Sequence, residues 1–354
     1  MTSWIRKAVA RGKRFLNWIP RTPTQVQLEI TNRCNFDCVM CQRKDLGVVF
    51  RDMPFDLYRA IIDRLPEAVR LVALTGWGEP TMHPNLVEMI RYARDRGKRV
   101  TVTTNGVLLR GDLAERILDS GITAMTFSID SLDEEDQTLV HWEPATVIRN
   151  VREFVGKIRD RQLKIGTGVN ATLHAGRAED VYRIIRFAAE NHIDQVGVLR
   201  LDLRYQKMLQ RYTWAEEQQI FRAAHRLGRE LSVRVHTVQS YHGRGGGLLS
   251  LVNRRCPKPF DYVYINWKGG ITPCCSLPTL SLHNILEDDF QKVWKGRRFS
   301  HFRRNQRKIC GTCDVLYYRY HPALAGNGHP KNVTRLPMLQ PPGDGEEAQE
   351  AVGR

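Results

Sequence analysis

Three closely spaced cysteines near the start of the chain are the residues best suited to do chemistry. Cys34, Cys38 and Cys41 follow the pattern C-x3-C-x2-C. Thiolates are soft ligands, and three of them in one short loop suit an iron–sulfur cluster. Three ligands leave one iron of a four-iron cluster open to a small molecule. A zinc knuckle is the alternative, but it needs a fourth ligand nearby, and the nearest downstream histidine, His83, is far along the chain.

Glycines and polar residues follow the second, third and fourth predicted strands. Glycines let backbone groups approach a ligand closely, and the polar side chains supply hydrogen bonds to it. For Ser128 and Asp130, helix capping and turn formation are the alternative. Thr103 stands with Thr104 at the end of the third strand, and Asn170 and Thr172 are weaker candidates. The main candidates are Gly76, Gly78 and Glu79 after the second strand, Thr104 and Asn105 after the third, and Ser128 and Asp130 after the fourth.

These residues need a scaffold that brings strand ends together. The run at residues 26–30 alternates and predicts a first strand. Strands and helices then alternate up to residue 231 in six units, which predicts a parallel sheet. Six units are too few to close an eightfold barrel. We therefore expect an α/β fold, with a partial (β/α)6 TIM-like barrel that presents the candidate residues at the carboxyl ends of its strands.

A second group of cysteines lies late in the chain. A hairpin over residues 262–273 and a helix over 285–295 are predicted among them. Four thiolates would complete the coordination of a cluster, and a structural zinc ribbon is the alternative. The late cysteines are Cys256, Cys274, Cys275, Cys310 and Cys313.

Composition sets limits on the class of protein and on its partners. With 354 residues and 42% hydrophobic residues, the chain can bury a large core. We expect a cytoplasmic protein, because the sequence shows no signal peptide and no run long enough to span a membrane. The net charge of +16 suggests an acidic partner, unless it reflects solvated basic faces alone. The basic N-terminal segment is expected to cap the barrel or to meet an anionic membrane surface.

The expected organisation has five parts. They are a basic segment at 1–23, a core barrel at 24–240, a glycine-rich linker at 241–255, a cysteine-bearing unit at 256–320 and a disordered tail at 321–354.

The first cysteine motif and the Gly76–Pro80 segment together resemble the radical S-adenosylmethionine (SAM) superfamily. That family has the spacing C-x3-C-x-Φ-C, with Met40 here at the usually aromatic position. The resemblance implies a [4Fe–4S] cluster on Cys34, Cys38 and Cys41, with SAM bound to the open iron. One electron would cleave SAM to methionine and a 5′-deoxyadenosyl radical, which abstracts hydrogen from a substrate. It also implies that Glu79 and a backbone carbonyl hold the SAM ammonium group, and that Ser128 or Asp130 contacts SAM.

The late cysteines resemble SPASM and twitch domains, which bind auxiliary clusters. The spacing from Cys256 through Gly269 to Cys274 carries this resemblance. No cysteine follows Cys313, so the shorter type is implied, a β-hairpin plus helix with one auxiliary [4Fe–4S] cluster. Its ligands would be Cys256, Cys274, Cys310 and Cys313. Cys275 is then a spare thiol: a bystander, a substitute ligand or a catalytic hydrogen-atom donor.

A closed auxiliary cluster is typical of a site that transfers electrons. In such enzymes the electrons come from a flavodoxin- or ferredoxin-type donor. The pattern resembles an aminocyclitol alcohol dehydrogenase, and we expect oxidation or epimerisation of a sugar-like or other small molecule. Arginines after the sixth strand would suit a phosphorylated substrate. Further candidates for substrate contact are Arg200, Asp202 and Arg204 at and after the sixth strand. His236 and Gln239, further along the chain, are also candidates.

Two alternatives come from different classes of protein. One is a peptide maturase, although the short stretch before the first strand leaves no room for a fused leader-peptide recognition domain. The other is a basic zinc protein that binds nucleic acid, in which the Gly76–Pro80 segment has no role. We therefore expect no nucleic-acid partner.

Overall fold

The computed structural model describes residues 22–45, 50–133, 144–202, 209–237, 256 and 258–310. The predicted basic segment up to residue 21, the linker at 241–255, the tail and Cys313 lie outside these ranges, as do Arg204 and Gln239. Among the helices described, none has the length and apolar character needed to cross a membrane.

One ten-stranded sheet organises the fold, in the order β10-β9-β8-β1-β2-β3-β4-β5-β6-β7. Strands β1 to β7 are parallel, as are β1 and β8, whereas β8, β9 and β10 pair antiparallel. The strands are β1 Gln25–Leu28, β2 Leu71–Leu74, β3 Arg99–Thr104, β4 Ala124–Ser128, β5 Gly166–Leu173, β6 Gln195–Arg200, β7 Arg234–Thr237, β8 Tyr262–Ile265, β9 Gly270–Thr272 and β10 His283–Asn284.

Helices follow the strands along the barrel, with two short 3-10 turns at Gln42–Lys44 and Pro80–Met82. The helices are α1 Phe55–Arg64, α2 Leu86–Asp95, α3 Gly111–Leu118, α4 Pro144–Asp160, α5 Ala178–Glu190, α6 Trp214–Glu230, α7 Lys258–Asp261, α8 Phe290–Lys295 and α9 Arg297–Cys310. The predicted partial barrel followed by a hairpin and helix is confirmed.

The two faces of the parallel sheet differ in polarity, because side chains alternate between them along each strand. One face is apolar, almost fully buried and packed in the core with the helices; it includes Val26, Leu28, Val72, Leu74, Val100, Val102, Met125, Phe127, Val169, Ala171, Val196 and Val198. The other face is mostly polar and half-buried; we call it the polar inner face, with Gln25, Gln27, Thr101, Thr103, Thr126, Asn170, Thr172 and Gln195.

Several elements differ from the sequence-based expectations. A seventh parallel strand, β7, follows α6, and β8 of the late hairpin pairs directly with β1. The late unit therefore extends the barrel sheet. The helix expected at 285–295 begins only at Phe290, where Asp289 caps it through a 2.8 Å bond from the Lys292 N–H. It is followed by the longer helix α9, which the sequence reasoning missed.

Candidate active site

The cysteine loop begins directly after β1, at the edge where the parallel strands end. A bridge from Thr31 to Asp52 closes the loop, with the Thr31 hydroxyl donating to Asp52 Oδ1 at 2.6 Å. Within the loop, the Phe36 N–H points to the Cys34 Sγ at 3.4 Å. All three cysteines of the loop, Cys34, Cys38 and Cys41, are half-buried free thiols.

The pKa shifts of Cys38 and Cys34 indicate that the thiols of the loop interact with one another. Burial raises the pKa of Cys38 to about 12, with further contributions from Cys41, Asp130 and Cys34. Burial also raises the pKa of Cys34, and Glu79 and Cys41 add to it. The loop thus holds three soft donors that influence one another, and the charge of the predicted residue Asp130 reaches Cys38 and raises its pKa.

The two glycines after β2 allow close passage of this segment against the cysteine loop. A Cβ on Gly76 would meet the Glu29 Cγ at 2.6 Å, and a Cβ on Gly78 would meet the Arg33 carbonyl oxygen at 2.4 Å. The space that a side chain would occupy is therefore already filled by the end of β1. Glycines are required here because this segment packs closely against the residues after β1. The sequence had suggested a different reason, the close approach of a ligand.

Glu79 is buried and holds two segments together, the one after β2 and the end of β3. Its Oε1 accepts from the Thr81 N–H at 2.9 Å, the Thr81 hydroxyl at 2.6 Å and the Thr104 hydroxyl at 2.7 Å. Its Oε2 accepts from the Asn105 N–H at 2.7 Å. Burial raises the pKa of Glu79, and these donors oppose the rise. The carboxylate orders the ends of β2 and β3, and its contact with a SAM ammonium group stays a prediction.

Asn105 connects the end of β3 with the cysteine loop. Its side-chain amide donates to Asn35 Oδ1 at 2.9 Å, and its own Oδ1 accepts from the Val107 N–H at 3.1 Å. Asn35 lies next to Cys34, so the orientation of this amide helps to set the course of the cysteine loop.

The remaining residues that the sequence predicted lie on or just after strands β4 to β7. Asp130 accepts from the Thr172 N–H at 2.6 Å, and burial raises its pKa. Ser128 is exposed at the end of β4, in register with Asn170. Asn170 is in turn in register with Gly197, and Gly197 with His236, so these residues form one row across the sheet. Asp202 is half-buried just after β6.

Arg200 does not point to a substrate phosphate. Its guanidinium forms an ion pair with Glu217 of α6 at 2.9 Å, and the two side chains are only 6% and 1% exposed. The expectation that arginines after β6 bind a phosphorylated group therefore finds no support at Arg200.

The late cysteines are organised by β9, α7 and α9. Cys256 is buried, and Gln306 of α9 binds both sides of its backbone, accepting from the N–H at 2.9 Å and donating to the carbonyl at 3.2 Å. Cys310 is the last residue of α9, and Cys274 follows β9. One helix therefore carries one late cysteine and fixes a second.

Cys275 is linked to the segment after β2 by a hydrogen bond. The Trp77 indole N–H, in the segment after β2, donates to the Cys275 carbonyl at 2.8 Å. A hydrogen bond with Cys274 lowers the pKa of Cys275, and the Lys258 ammonium, with Nζ 3.9 Å from the Cys275 Sγ, also lowers it. The same bond and burial raise the pKa of Cys274.

Three residues at this site were not predicted. Glu29 is fully buried at the end of β1, and its oxygens make no hydrogen bond of ordinary geometry with described residues. Burial raises its pKa, and the nearby Tyr264 hydroxyl opposes the rise. A carboxylate at the end of a buried strand was the available signal for Glu29. Lys258 and Gln306 gave no signal in the sequence.

The donor sets fit iron–sulfur clusters. The first loop offers three thiols near one another, and the late unit offers cysteines positioned by one helix. Across the described ranges, no three or more Cys, His, Asp or Glu side chains surround a position for a single metal ion.

Comparison with protein families agrees with this geometry. A model described as the radical SAM superfamily matches residues 28–188, and one described as SPASM, an iron–sulfur cluster-binding domain, matches residues 256–314. Together they match more than half of the chain, which belongs to the radical SAM superfamily and carries a SPASM domain. These domains imply a SAM-binding [4Fe–4S] cluster, an auxiliary iron–sulfur cluster and SAM itself.

Relatives of several kinds resemble the chain. An AdoMet-dependent heme synthase of Methanosarcina barkeri is 22% identical over 84% of this chain and 89% of that protein. A PqqA peptide cyclase of Xanthomonas axonopodis is 25% identical over 82% of this chain and 80% of that protein. Streptococcus suis SuiB, solved with S-adenosylmethionine, aligns with a TM-score of 0.68 and 19% identity over 88% of this chain and 75% of that one.

Proposed function

We propose that this radical SAM enzyme abstracts a hydrogen atom from a peptide substrate and oxidises the modified residue, which also loses a proton to solvent and one electron that the auxiliary cluster would accept. The observation that carries the proposal is the polar inner face, which the structure presents beside the cysteine loop. Two comparisons support it: one relative is a peptide cyclase, and SuiB has also been solved with its precursor peptide SuiA. The sequence alone had favoured a sugar-like substrate over a peptide.

The polar inner face suits an extended chain. Thr101, Thr103 and Thr126 lie on neighbouring strands, and Asn170 and Thr172 continue the face along β5. Hydroxyl and amide side chains both donate and accept, as the backbone of a peptide requires. A flat apolar macrocycle would instead require a mostly apolar pocket.

We further propose the ligands of the two clusters. Cys34, Cys38 and Cys41 hold the SAM-binding cluster, and its ligand SAM lies against the residues after β2, β3 and β4. The auxiliary cluster is held by Cys256, Cys274, Cys310 and Cys313. When bound, SAM and the first cluster supply a 5′-deoxyadenosyl radical by one-electron cleavage of the sulfonium.

In this proposal the chain's own residues position the reactants. Gly76 and Gly78 let the segment after β2 lie close against the cysteine loop, and Glu79 fixes the ends of β2 and β3. Asn105 orients the cysteine loop from β3. Cys275, joined to the SAM side of the site through Trp77, is a spare thiol that has no role in oxidation and would return a hydrogen atom to the substrate radical only in an epimerisation.

Isotope transfer tests the substrate class. Anaerobically reconstituted protein would be incubated with SAM, a reductant and perdeuterated candidate peptides, including those encoded beside its gene. We expect deuterium in 5′-deoxyadenosine, and the same peptide without label should become lighter by about two mass units, as the loss of two hydrogens requires. Deuterium transfer from a labelled polyol or an iron porphyrin, with none from any peptide, would overturn the proposal.

A variant separates oxidation from epimerisation. In C275A, oxidation of the peptide should continue at a similar rate, because no hydrogen atom is returned. If the wild-type enzyme instead incorporates solvent deuterium into a product of unchanged composition, and C275A loses that incorporation, the reaction is epimerisation and the oxidation proposal fails.

A further inference from the structure

Helices α8 and α9 carry exposed cations on the outside of the SPASM domain. No acidic residue occurs between Phe290 and Cys310. We call the exposed cations of these helices the α9 basic face. They are Lys292, Lys295, Arg297, Arg304 and Lys308.

The face is built by helical geometry. Arg297, the exposed His301 and Arg304 are spaced i, i+4 and i+7, which places them on one side of α9. The helix is kinked at Asn305, with φ −106° and ψ 16°, and Lys308 is exposed beyond the kink. On the opposite side, Phe299, Phe302 and Ile309 are buried.

These charges are not neutralised by the chain where it is described. Several partly exposed arginines elsewhere pair with carboxylates, as Arg33 does with Asp52 at 2.7 Å and Arg116 with Glu88 at 2.7 Å. Within the described ranges, the five cations of the α9 basic face form no ion pair. The acids at 287–289 precede α8, where Asp288 binds His283 at 2.7 Å and Asp289 caps the helix.

Arg303 of the same helix is buried and has a structural role, unlike the exposed cations. Its guanidinium donates to the Pro259 and Trp294 carbonyls at 2.7 Å each. It also stacks 4.2 Å above the Trp294 ring. Packing therefore explains Arg303, but it does not explain the exposed cations.

The α9 basic face lies directly outside the late cysteines. Cys310 ends α9, and Gln306 of the same helix fixes the backbone of Cys256. A helix with its side chains is about 10 Å thick. A protein seated on α9 would thus be separated from these cysteines by about one helix diameter.

We propose that the α9 basic face is the docking surface for a small acidic electron-transfer protein of the flavodoxin or ferredoxin type. The docked protein would give up one electron and be oxidised, and the iron–sulfur site bordered by Cys256 and Cys310 would accept that electron and pass it on to the first cluster, where SAM is cleaved. The assignment rests on the proposed ligand roles of these two cysteines. Complementary charge would speed encounter and set the orientation of the partner.

The apolar residues of the helices favour a protein partner over a lipid surface. Helices that lie on membranes insert apolar side chains such as Trp, Phe and Leu. Here Trp294, Phe299 and Phe302 are almost fully buried in the domain. The exposed face of α9 offers charge alone.

Charge reversal tests the proposal. The R304E/K308E variant would be compared with R70E/R99E, which reverses two exposed arginines at the amino ends of β2 and β3, the opposite end of the barrel. Unchanged iron content would show that each variant is correctly assembled. The probe is an acidic flavodoxin, whose binding to the reconstituted protein is followed by fluorescence titration at low and high salt.

We expect wild-type protein to bind the flavodoxin with an affinity that falls as salt rises. R304E/K308E should bind about tenfold more weakly, while R70E/R99E binds as wild type. SAM cleavage driven by reduced flavodoxin should slow in R304E/K308E only. Cleavage driven by dithionite, which needs no docking surface, should be the same in all three proteins.

Three results would overturn the proposal. The first is no flavodoxin binding by wild-type protein, and the second is equal binding by R304E/K308E. The third is a loss in R304E/K308E of binding to phosphatidylglycerol vesicles or duplex DNA, with flavodoxin binding unchanged. The titration requires no peptide substrate, so failure of the peptide assignment leaves its outcome intact.

Discussion

Single polar side chains fix how the loops of this site meet. Asn105 reaches from the end of β3 to Asn35 beside the first cysteine, and Glu79 collects four donors from two segments. Hydrogen bonds of this kind orient metal ligands from outside the coordination shell. Their loss should therefore change cluster binding more than global stability.

Asn105→Ala tests this role. We expect roughly tenfold weaker retention of the first cluster, because the bond to Asn35 is lost. Asn150→Ala is the matched control, since Asn150 donates to the Gly106 and Val107 carbonyls at 3.1 and 2.9 Å and its described bonds do not reach the cysteine loop. Iron release to a chelator, followed anaerobically, measures the difference. Equal release by the two variants would contradict the role of Asn105.

Arg200→Ala tests the buried ion pair. Removing the guanidinium takes the 2.9 Å ion pair away from the buried Glu217 carboxylate, and breaking a buried pair from one side typically costs about 3–5 kcal/mol. The double variant R200M/E217L should recover much of that loss, because an apolar pair replaces both charges. Denaturation midpoints of the three proteins give the comparison. A single variant as stable as wild type would show that the pair is not held as the structure describes.

At the scale of elements, the close contact between the segment after β2 and the end of β1 is the critical packing. A Cβ on Gly78 would meet backbone atoms of Arg33, Asn32 and Thr31. Backbone cannot rotate away as the end of a flexible side chain can. The contact therefore sets the distance between the Gly76–Pro80 segment and the cysteine loop.

Gly78→Ala should displace these two segments and abolish SAM cleavage. Gly156→Ala is its control: Gly156 lies within α4 with open space at its Cβ position, so alanine there should stabilise the protein by up to about 1 kcal/mol. Formation of 5′-deoxyadenosine and the melting temperature would be measured for both. Full activity in G78A would contradict the importance of the contact.

The strands β1 to β6 and their helices could be predicted, since each shows clear alternation or helical periodicity. Strand β7 was missed because only Val235 of its four residues is apolar, and the pairing of β8 with β1 is a contact between distant segments. Helix α9 was missed because two of its buried positions hold Arg303 and Gln306, which break the apolar pattern. Local pattern cannot reveal polar residues whose partners lie far along the chain.

The same reasoning applies to the candidate site. The spacing of the cysteines and the residues after the strands was informative, because parallel strands bring their ends to one edge. The contact of Trp77 with Cys275 joins residues 198 positions apart, and no local motif predicts it. Arg200 was misread because its partner, Glu217, lies on the following helix.

Over the whole molecule, one sheet joins the two sets of cysteines. Strand β1 leads into the first cysteine loop and pairs with β8 of the SPASM domain. The Trp77 bond to Cys275 adds a second connection. This arrangement predicts two separate iron sites within one rigid framework, with SAM cleavage at the first.

The most direct test of the account uses the variant C34A/C38A/C41A beside wild-type protein, both reconstituted anaerobically with iron and sulfide. Iron content and 5′-deoxyadenosine formation with SAM and dithionite are measured together. We predict about eight irons per wild-type chain and about four in the variant, as two four-iron clusters require, with SAM cleavage only in the wild type. Zinc in place of iron, or continued cleavage of SAM by the variant, would contradict the account.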